Sequence, residues 1–136
     1  MTEKHILRVA TVEIPVTNLG ESISWYSKNL GTSILTKTDH TAMLTYSATN
    51  SSGEPTLYLV ETSDNERLTF KNSHTDITHS VIDFYVPDLI AFHAFLSENG
   101  VTVTPLHLFP DGKGLGGFGF RDPSGNSFGA TNIVHS

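Results

Sequence analysis

The sequence predicts an α+β fold of two βαβββ modules, forming a curved mixed-sheet cup with one helix on the outer face of each module. The first observation is a pattern that recurs about seventy positions along. Ile14-Pro15-Val16-Thr17-Asn18-Leu19 opens an amphipathic stretch that carries Trp25-Tyr26 and closes at Asn29-Leu30-Gly31. Phe84-Tyr85-Val86-Pro87-Asp88-Leu89 opens another, which carries Phe95-Leu96 and closes at Glu98-Asn99-Gly100. The second observation is that each copy is followed by short apolar runs of strand length. The third is size: 136 residues make one domain, long enough to bury most of its apolar surface. Two copies are too few for a solenoid and imply one domain, residues 1–136, made of two related halves. Module one covers about residues 6–61, a linker 62–78, and module two about 79–134.

The elements follow in order. Residues 8–16 alternate, with Val12, Ile14 and Val16 on one face and Thr11, Glu13 and Pro15 on the other, which predicts a strand. Asn18, with Glu21 three residues on, predicts a helix cap. Leu19, Ile23, Tyr26 and Leu30 share one helix face, and Gly31 supplies the left-handed stop. Strands are predicted over 33–38, 42–46 and 56–61, the last two separated by the turn-forming run Asn50-Ser51-Ser52-Gly53-Glu54-Pro55. Residues 62–78 are polar without a sustained period, which marks the linker. The second half repeats the order: a strand over 80–86, a cap at Asp88, a buried stripe of Leu89, Phe92 and Leu96, then strands over 101–109, 117–121 and 127–134. Each helix stripe needs a sheet face to cover, so function is expected on the other face, inside the cup.

Composition excludes several classes. No run approaches the roughly 18–20 apolar residues that cross a bilayer. The opening Met1-Thr2-Glu3-Lys4-His5 leads into an amphipathic strand rather than a secretion signal, so a cytoplasmic protein is expected. Without cysteine there is no disulfide, thiolate ligand or thiol nucleophile. Asn50-Ser51-Ser52 matches a glycosylation acceptor but reads as a loop. A formal charge of −6, with eight scattered Lys and Arg, argues against nucleic acid. Gly112-Lys113-Gly114-Leu115-Gly116-Gly117 satisfies GxGxxG, yet it opens no helix and sits in no βαβ unit. It reads instead as a mobile loop at the cup mouth.

The repeat, Trp25-Tyr26 with Leu30-Gly31, and the terminal Phe120-Arg121-Asp122-Pro123-Ser124-Gly125-Asn126 together resemble the vicinal oxygen chelate superfamily. That group includes glyoxalase I, bleomycin-resistance proteins, fosfomycin-resistance enzymes and extradiol dioxygenases, and the resemblance covers almost the whole chain. It implies a cup that in metal-dependent members holds one divalent ion, ligated by His or Glu from the first and fourth strands of each module. Carried over by register, those positions are Thr11, Val81, Gly129, and Tyr58, or Leu59 if the hairpin slips by one. Valine and glycine bring no donor, and neutral threonine is a poor ligand for a divalent ion. The expectation is therefore no metal at the usual position and no cofactor. Without such an ion, carbonyl polarisation and enediolate stabilisation lose their Lewis acid.

Glu13 and Asp83 then become the leading polar residues. They match between the two copies and lie two residues, about 6.7 Å, beyond the vacant ligand positions. They are candidate general bases or anchors for a cationic ligand. Thr11, Tyr58, His79, Tyr85, His107 and Phe118 complete the candidate ligand-binding set, the aromatic members as cup walls suited to a flat or apolar ligand. His93 reads as a packing residue, His5, His40, His74 and His135 as solvated, and Trp25 and Tyr26 as core and inter-module packing. The favoured function is a small-molecule-binding protein of the resistance type. Two alternatives stay open: an enzyme of the lyase, isomerase or dioxygenase kind using Glu13, Asp83 or a displaced metal site, and a non-catalytic interaction protein. Open sheet edges, with the family's habit, imply a homodimer.

Overall fold

The computed structural model describes residues 3–46 and 53–135; the triplet Asn50-Ser51-Ser52 lies outside the described residues. The chain divides into two compact units, Met1–Glu66 and Arg67–Ser136.

Unit 1 contains β1 (Thr11–Val16), α1 (Leu19–Leu30), β2 (Ser33–Lys37), β3 (Thr41–Thr45) and β4 (Thr56–Glu61). The sheet order is β1-β4-β3-β2, with β1 parallel to β4 and the other pairs antiparallel. Two-residue alternation sends Ile14, Val16, Ala42, Leu44, Leu57 and Leu59 to one face, where all are buried with Leu19 and Tyr26 of α1. Each large aliphatic side chain so buried contributes about 1.5–3 kcal/mol. Asn18 Oδ1 accepts from the Glu21 backbone N–H at 2.9 Å, and Gly31 closes the helix at φ 71°. The buried stripe of α1 is displaced from the expected one. Leu19 and Tyr26 are in it, but Ser22 and Asn29 are buried while Ile23 and Leu30 stay partly exposed. Ser22 Oγ and Asn29 Oδ1 are buried there without a hydrogen-bond partner among the described residues, an arrangement that opposes the apolar gain.

Unit 2 repeats the plan. After a hairpin of β5 (Thr69–Lys71) and β6 (Thr78–Ser80) come β7 (Ile82–Tyr85), α2 (Leu89–Glu98), β8 (His107–Leu108), β9 (Gly116–Arg121) and β10 (Ser127–Thr131). The order β7-β10-β9-β8 reproduces that of unit 1, with β7 parallel to β10. Asp88 caps α2 by accepting from the Ala91 N–H at 3.1 Å. Leu89 and Leu96 are buried, and Phe92 meets Phe120 edge-on at 5.8 Å. Phe84, Phe118, Phe120 and Phe128 complete an aromatic core on the α2 side of the sheet.

Three segments differ from the sequence expectation. Residues 62–78 carry β5 and the start of β6. The strand expected over 80–86 is divided at Val81 between two pairings, β6 with β5 and β7 with β10. The strand expected over 101–109 is reduced to β8 and one isolated bridge between Val103 and Phe120. Pro105 lacks an N–H for a ladder, and Thr104 is held instead by its own pair of bonds to Gly119.

The Asp122-Pro123-Ser124-Gly125-Asn126 turn does more than close β9 onto β10. Asp122 Oδ1 accepts from the Ser124 and Asn126 N–H groups, and Asn126 Nδ2 donates to Asp122 Oδ2 at 2.8 Å. Asn126 Oδ1 accepts from the Leu68 N–H at 2.8 Å, and Arg67 Nε donates to the Ser124 carbonyl at 2.6 Å. The turn thus fastens the start of unit 2 to its last hairpin.

Candidate functional site

The sheet face turned away from each helix carries the residues that the sequence singled out. In unit 1, alternation places Thr11, Glu13 and Pro15 of β1 on that face with Thr56, Tyr58 and Val60 of β4 and Thr41, Met43 and Thr45 of β3. Glu13 pairs in register with Tyr58, and Tyr58 with Met43. In unit 2, Asp83 pairs with Gly129, and Gly129 with Gly119. Glu13 and Asp83 therefore occupy the same place in two sheets of the same strand order. Both are exposed within their units, and neither carboxylate has a hydrogen bond or ion pair among the described residues.

Asp83 has a distinctive neighbour. A Cβ built on Gly129 would collide with Asp83 Oδ1, so the carboxylate occupies the space that a side chain at 129 would take. In metal-dependent members of the resembled superfamily a glutamate stands at this position; here its room is held by an acid from the adjacent strand. The other positions are equally unsuited to a divalent ion. Thr11 and Thr56 hydroxyls bond to each other at 3.0 Å, Val81 has no donor, and Tyr58 brings a single phenol oxygen beside Glu13. Among the described residues no group of three or more His, Asp or Glu could hold a metal ion. The residues present do not fit the superfamily's metal.

The remaining candidates are placed as follows. Tyr58 is half-buried between Glu13 and Met43, and Tyr85 is 56% exposed beside Thr131. His79 stacks on Phe70 at 5.1 Å, and its Nε2 lies 3.2 Å from Asn72 Nδ2, so its ring belongs to the β5–β6 hairpin. His107 is exposed on the edge strand β8, its ring 6.0 Å from that of Phe109. Phe118, expected as a cup wall, lies instead beneath α2, 4.7 Å from the His93 ring and 5.9 Å from that of Phe92. In Gly-Phe-Gly-Phe, period two sends both phenylalanines to the apolar helix side and both glycines to the other. His93 is a packing residue as expected, its Nε2 lying 2.9 Å from the Thr104 carbonyl. The glycine-rich loop is tethered: Asn132 accepts from the Gly116 N–H and donates to the Gly114 carbonyl.

Arg121 and Ser127, which are not in the candidate set, pair across β9 and β10 on the helix-free face. The signal was available in parity, since Arg121 follows Gly117 and Gly119 at two-residue steps.

No helix among the described residues is long and apolar enough to cross a membrane. No curated protein matches the sequence. Among solved structures, the fosfomycin resistance protein FosX from Listeria monocytogenes aligns with a TM-score of 0.73 at 11% identity, covering 96% of each chain. The antibiotic-binding protein TnmS3 from Streptomyces sp. CB03234 aligns with a TM-score of 0.69 at 19% identity, covering 95% of this chain and 98% of that one. Lactoylglutathione lyase from Agrobacterium tumefaciens gives 0.66 at 17% identity, covering 94% and 95%. At these identities the likeness is one of fold. The sequence itself matches the model of the Glyoxalase/Bleomycin resistance protein/Dioxygenase superfamily over residues 6–129. With the repeated strand order and the closing Asp-Pro-Ser-Gly-Asn turn, that match makes this chain a member of the superfamily.

Proposed function

We propose that this protein binds a small organic molecule against the helix-free faces of its sheets, without the superfamily's divalent ion, and that Glu13 and Asp83 set the polarity of the ligand. The observation that carries the reading is the pair of matched carboxylates, in the same register of two sheets and without a hydrogen bond or ion pair among the described residues. An ionised carboxylate only accepts hydrogen bonds, so the complementary ligand presents a cationic or hydrogen-bond-donating group. Tyr58 and Tyr85, on the same faces, offer aromatic surface to its apolar part. That a protein of this fold is an antibiotic-binding protein and another a fosfomycin resistance protein supports a binding role. The same reading includes a cytoplasmic homodimer that binds neither nucleic acid nor membrane. A monomer throughout the micromolar range in light scattering would remove the dimer from it.

The test is a thermal-shift screen of aromatic, cationic and thiol-conjugated compounds, followed by titration of any hit. Glu13→Gln combined with Asp83→Asn is expected to weaken binding by more than about tenfold, or about 1.4 kcal/mol, with the fold intact. Hits that the double substitution leaves unchanged would assign these carboxylates to structure alone. Elemental analysis tests the metal-free part separately. About one equivalent of a divalent metal per chain, lost to chelator, would overturn it.

A further inference from the structure

Unit 2 contains a cavity of about 340 Å³ on the helix-free side, where the ends of β9 and β10 meet β6 and the 102–104 segment. Its polar wall consists of Thr78, Ser80, Thr102, Thr104, Ser127 and Arg121. No carboxylate lines it, although the chain has fourteen Asp and Glu against eight Lys and Arg. We propose that this cavity is a binding site for a small oxyanion, a carboxylate or a phosphate-type group, with the Arg121 guanidinium as its counter-ion and the surrounding hydroxyls as donors.

The guanidinium of Arg121 has no hydrogen bond or ion pair among the described residues. Its planar fork suits two oxygens of one anion. The side-chain hydroxyls of Thr78, Ser80, Thr102 and Ser127 are likewise without partners among the described residues, so each can turn its hydrogen toward an acceptor. Thr104 is the fixed member. Its N–H donates to the Gly119 carbonyl at 2.8 Å, its carbonyl lies 2.9 Å from His93 Nε2, and its Oγ1 accepts from the Gly119 N–H at 2.8 Å. With that hydroxyl already accepting, its own hydrogen remains to donate. Hydroxyls alone would serve a cation or a neutral sugar as readily; the arginine, with no acid among the residues that line the cavity, decides the sign.

This site is independent of the reading built on Glu13 and Asp83, since neither residue lines the cavity. The experiment is an amide NMR titration with inorganic phosphate and, separately, with acetate, each against sodium chloride at matched ionic strength. Saturable shifts are expected at Thr102, Thr104, Gly119 and Ser127. Arg121→Gln should weaken them at least about tenfold while keeping the melting temperature, and Arg121→Lys should retain part of the affinity. Stronger response to phosphate than to acetate would indicate a phosphate-type group, and the reverse a carboxylate. Shifts that chloride reproduces, no saturation with either anion, or unchanged binding in Arg121→Gln would each overturn the proposal. Glu13→Gln with Asp83→Asn should leave the phosphate response intact, which separates failure here from failure of the small-molecule reading.

Discussion

The two sheets place a carboxylate at the same point and then surround it differently. Beside Glu13, the helix-free face of unit 1 is furnished with Tyr58, Met43 and the bonded Thr11–Thr56 pair. Beside Asp83, the corresponding positions of unit 2 are Gly129 and Gly119, with Gly117 one pair further along. Around Glu13 the face is filled by neighbouring side chains, whereas around Asp83 the two neighbouring strands offer glycine backbone at positions 117, 119 and 129. A strand interior of glycines is unfavourable by itself, because glycine loses more backbone entropy on folding and offers no side chain to pack. Unit 2 must obtain its stability elsewhere. The phenylalanine cluster under α2 and the buried Asp122–Asn126 turn are the places where it does so.

Breaking that turn should give the largest effect. Asn126 is fully buried and Asp122 is 5% exposed. Asn126→Ala leaves the Leu68 N–H without the Asn126 acceptor and removes the Asn126 amide donor from the Asp122 carboxylate. A loss of about 2–4 kcal/mol is expected, from one unpaired buried amide and one weakened buried carboxylate. Hydrogen exchange should show the loss over β9, β10 and the start of unit 2, with β1 to β4 protected as before. Equal loss in both units would show that the turn supports the whole chain rather than compensating for one bare face.

Next in size is Gly117→Ala, compared with Thr41→Ala at the corresponding place in unit 1. A Cβ on Gly117 would stand 2.6 Å from the Ala130 carbonyl oxygen, a backbone atom in the middle of the sheet. Strain of about 1–3 kcal/mol is expected in urea unfolding, against under about 1 kcal/mol for Thr41→Ala. Gly129→Ala should fall below Gly117→Ala, because what it displaces is the end of the Asp83 side chain rather than backbone. If the two glycine variants cost the same, Asp83 is more firmly held over Gly129 than its exposure indicates.

Much of this plan was legible. Asn18 and Asp88 announce the helix starts, Gly31 and Gly100 lie where positive φ is needed after the helices, and the spacing between the two copies gives the repeated strand order. What stayed hidden depended on partners distant in sequence. Thr69-Phe70-Lys71 and Thr78-His79-Ser80 are too short and polar to show a period, and become strands only by pairing with each other. Thr104 looks like part of a strand until its bonds to Gly119 are seen. The carboxylates Glu13 and Asp83 could be read from parity and repeat. The oxyanion cavity could not, because Thr78 lies in the polar stretch and Ser80, Thr102 and Thr104 lie in predicted strands that the structure divides or shortens.

The smallest predicted effect sharpens the contrast between the units at their helix starts. The first turn of α2 is capped by its own preceding residue, Asp88. The first turn of α1 has its own cap, Asn18, and also an anion from the sheet: Glu61, at the end of β4, accepts from the Leu19 N–H at 2.8 Å and lies 2.9 Å from His40 Nδ1. The Leu19 N–H, and after it the His40 hydrogen bond, hold the Glu61 carboxyl below its ordinary value of 4.5. A lowered folded value means that the unfolded chain binds the proton more readily, so the contribution to stability is fully present above about 4.5 and is lost as pH falls through the folded value. Glu61→Gln should therefore reduce the stability of unit 1 at neutral pH, with the difference from the parent closing in acid. Amide exchange should rise at Leu19 and along β4 together, because one carboxylate joins helix to strand. Asp88→Asn, which keeps a capping oxygen, should disturb only the first turn of α2. A Glu61→Gln difference that persists unchanged below the carboxylate range would mean that the lost interaction is packing rather than charge.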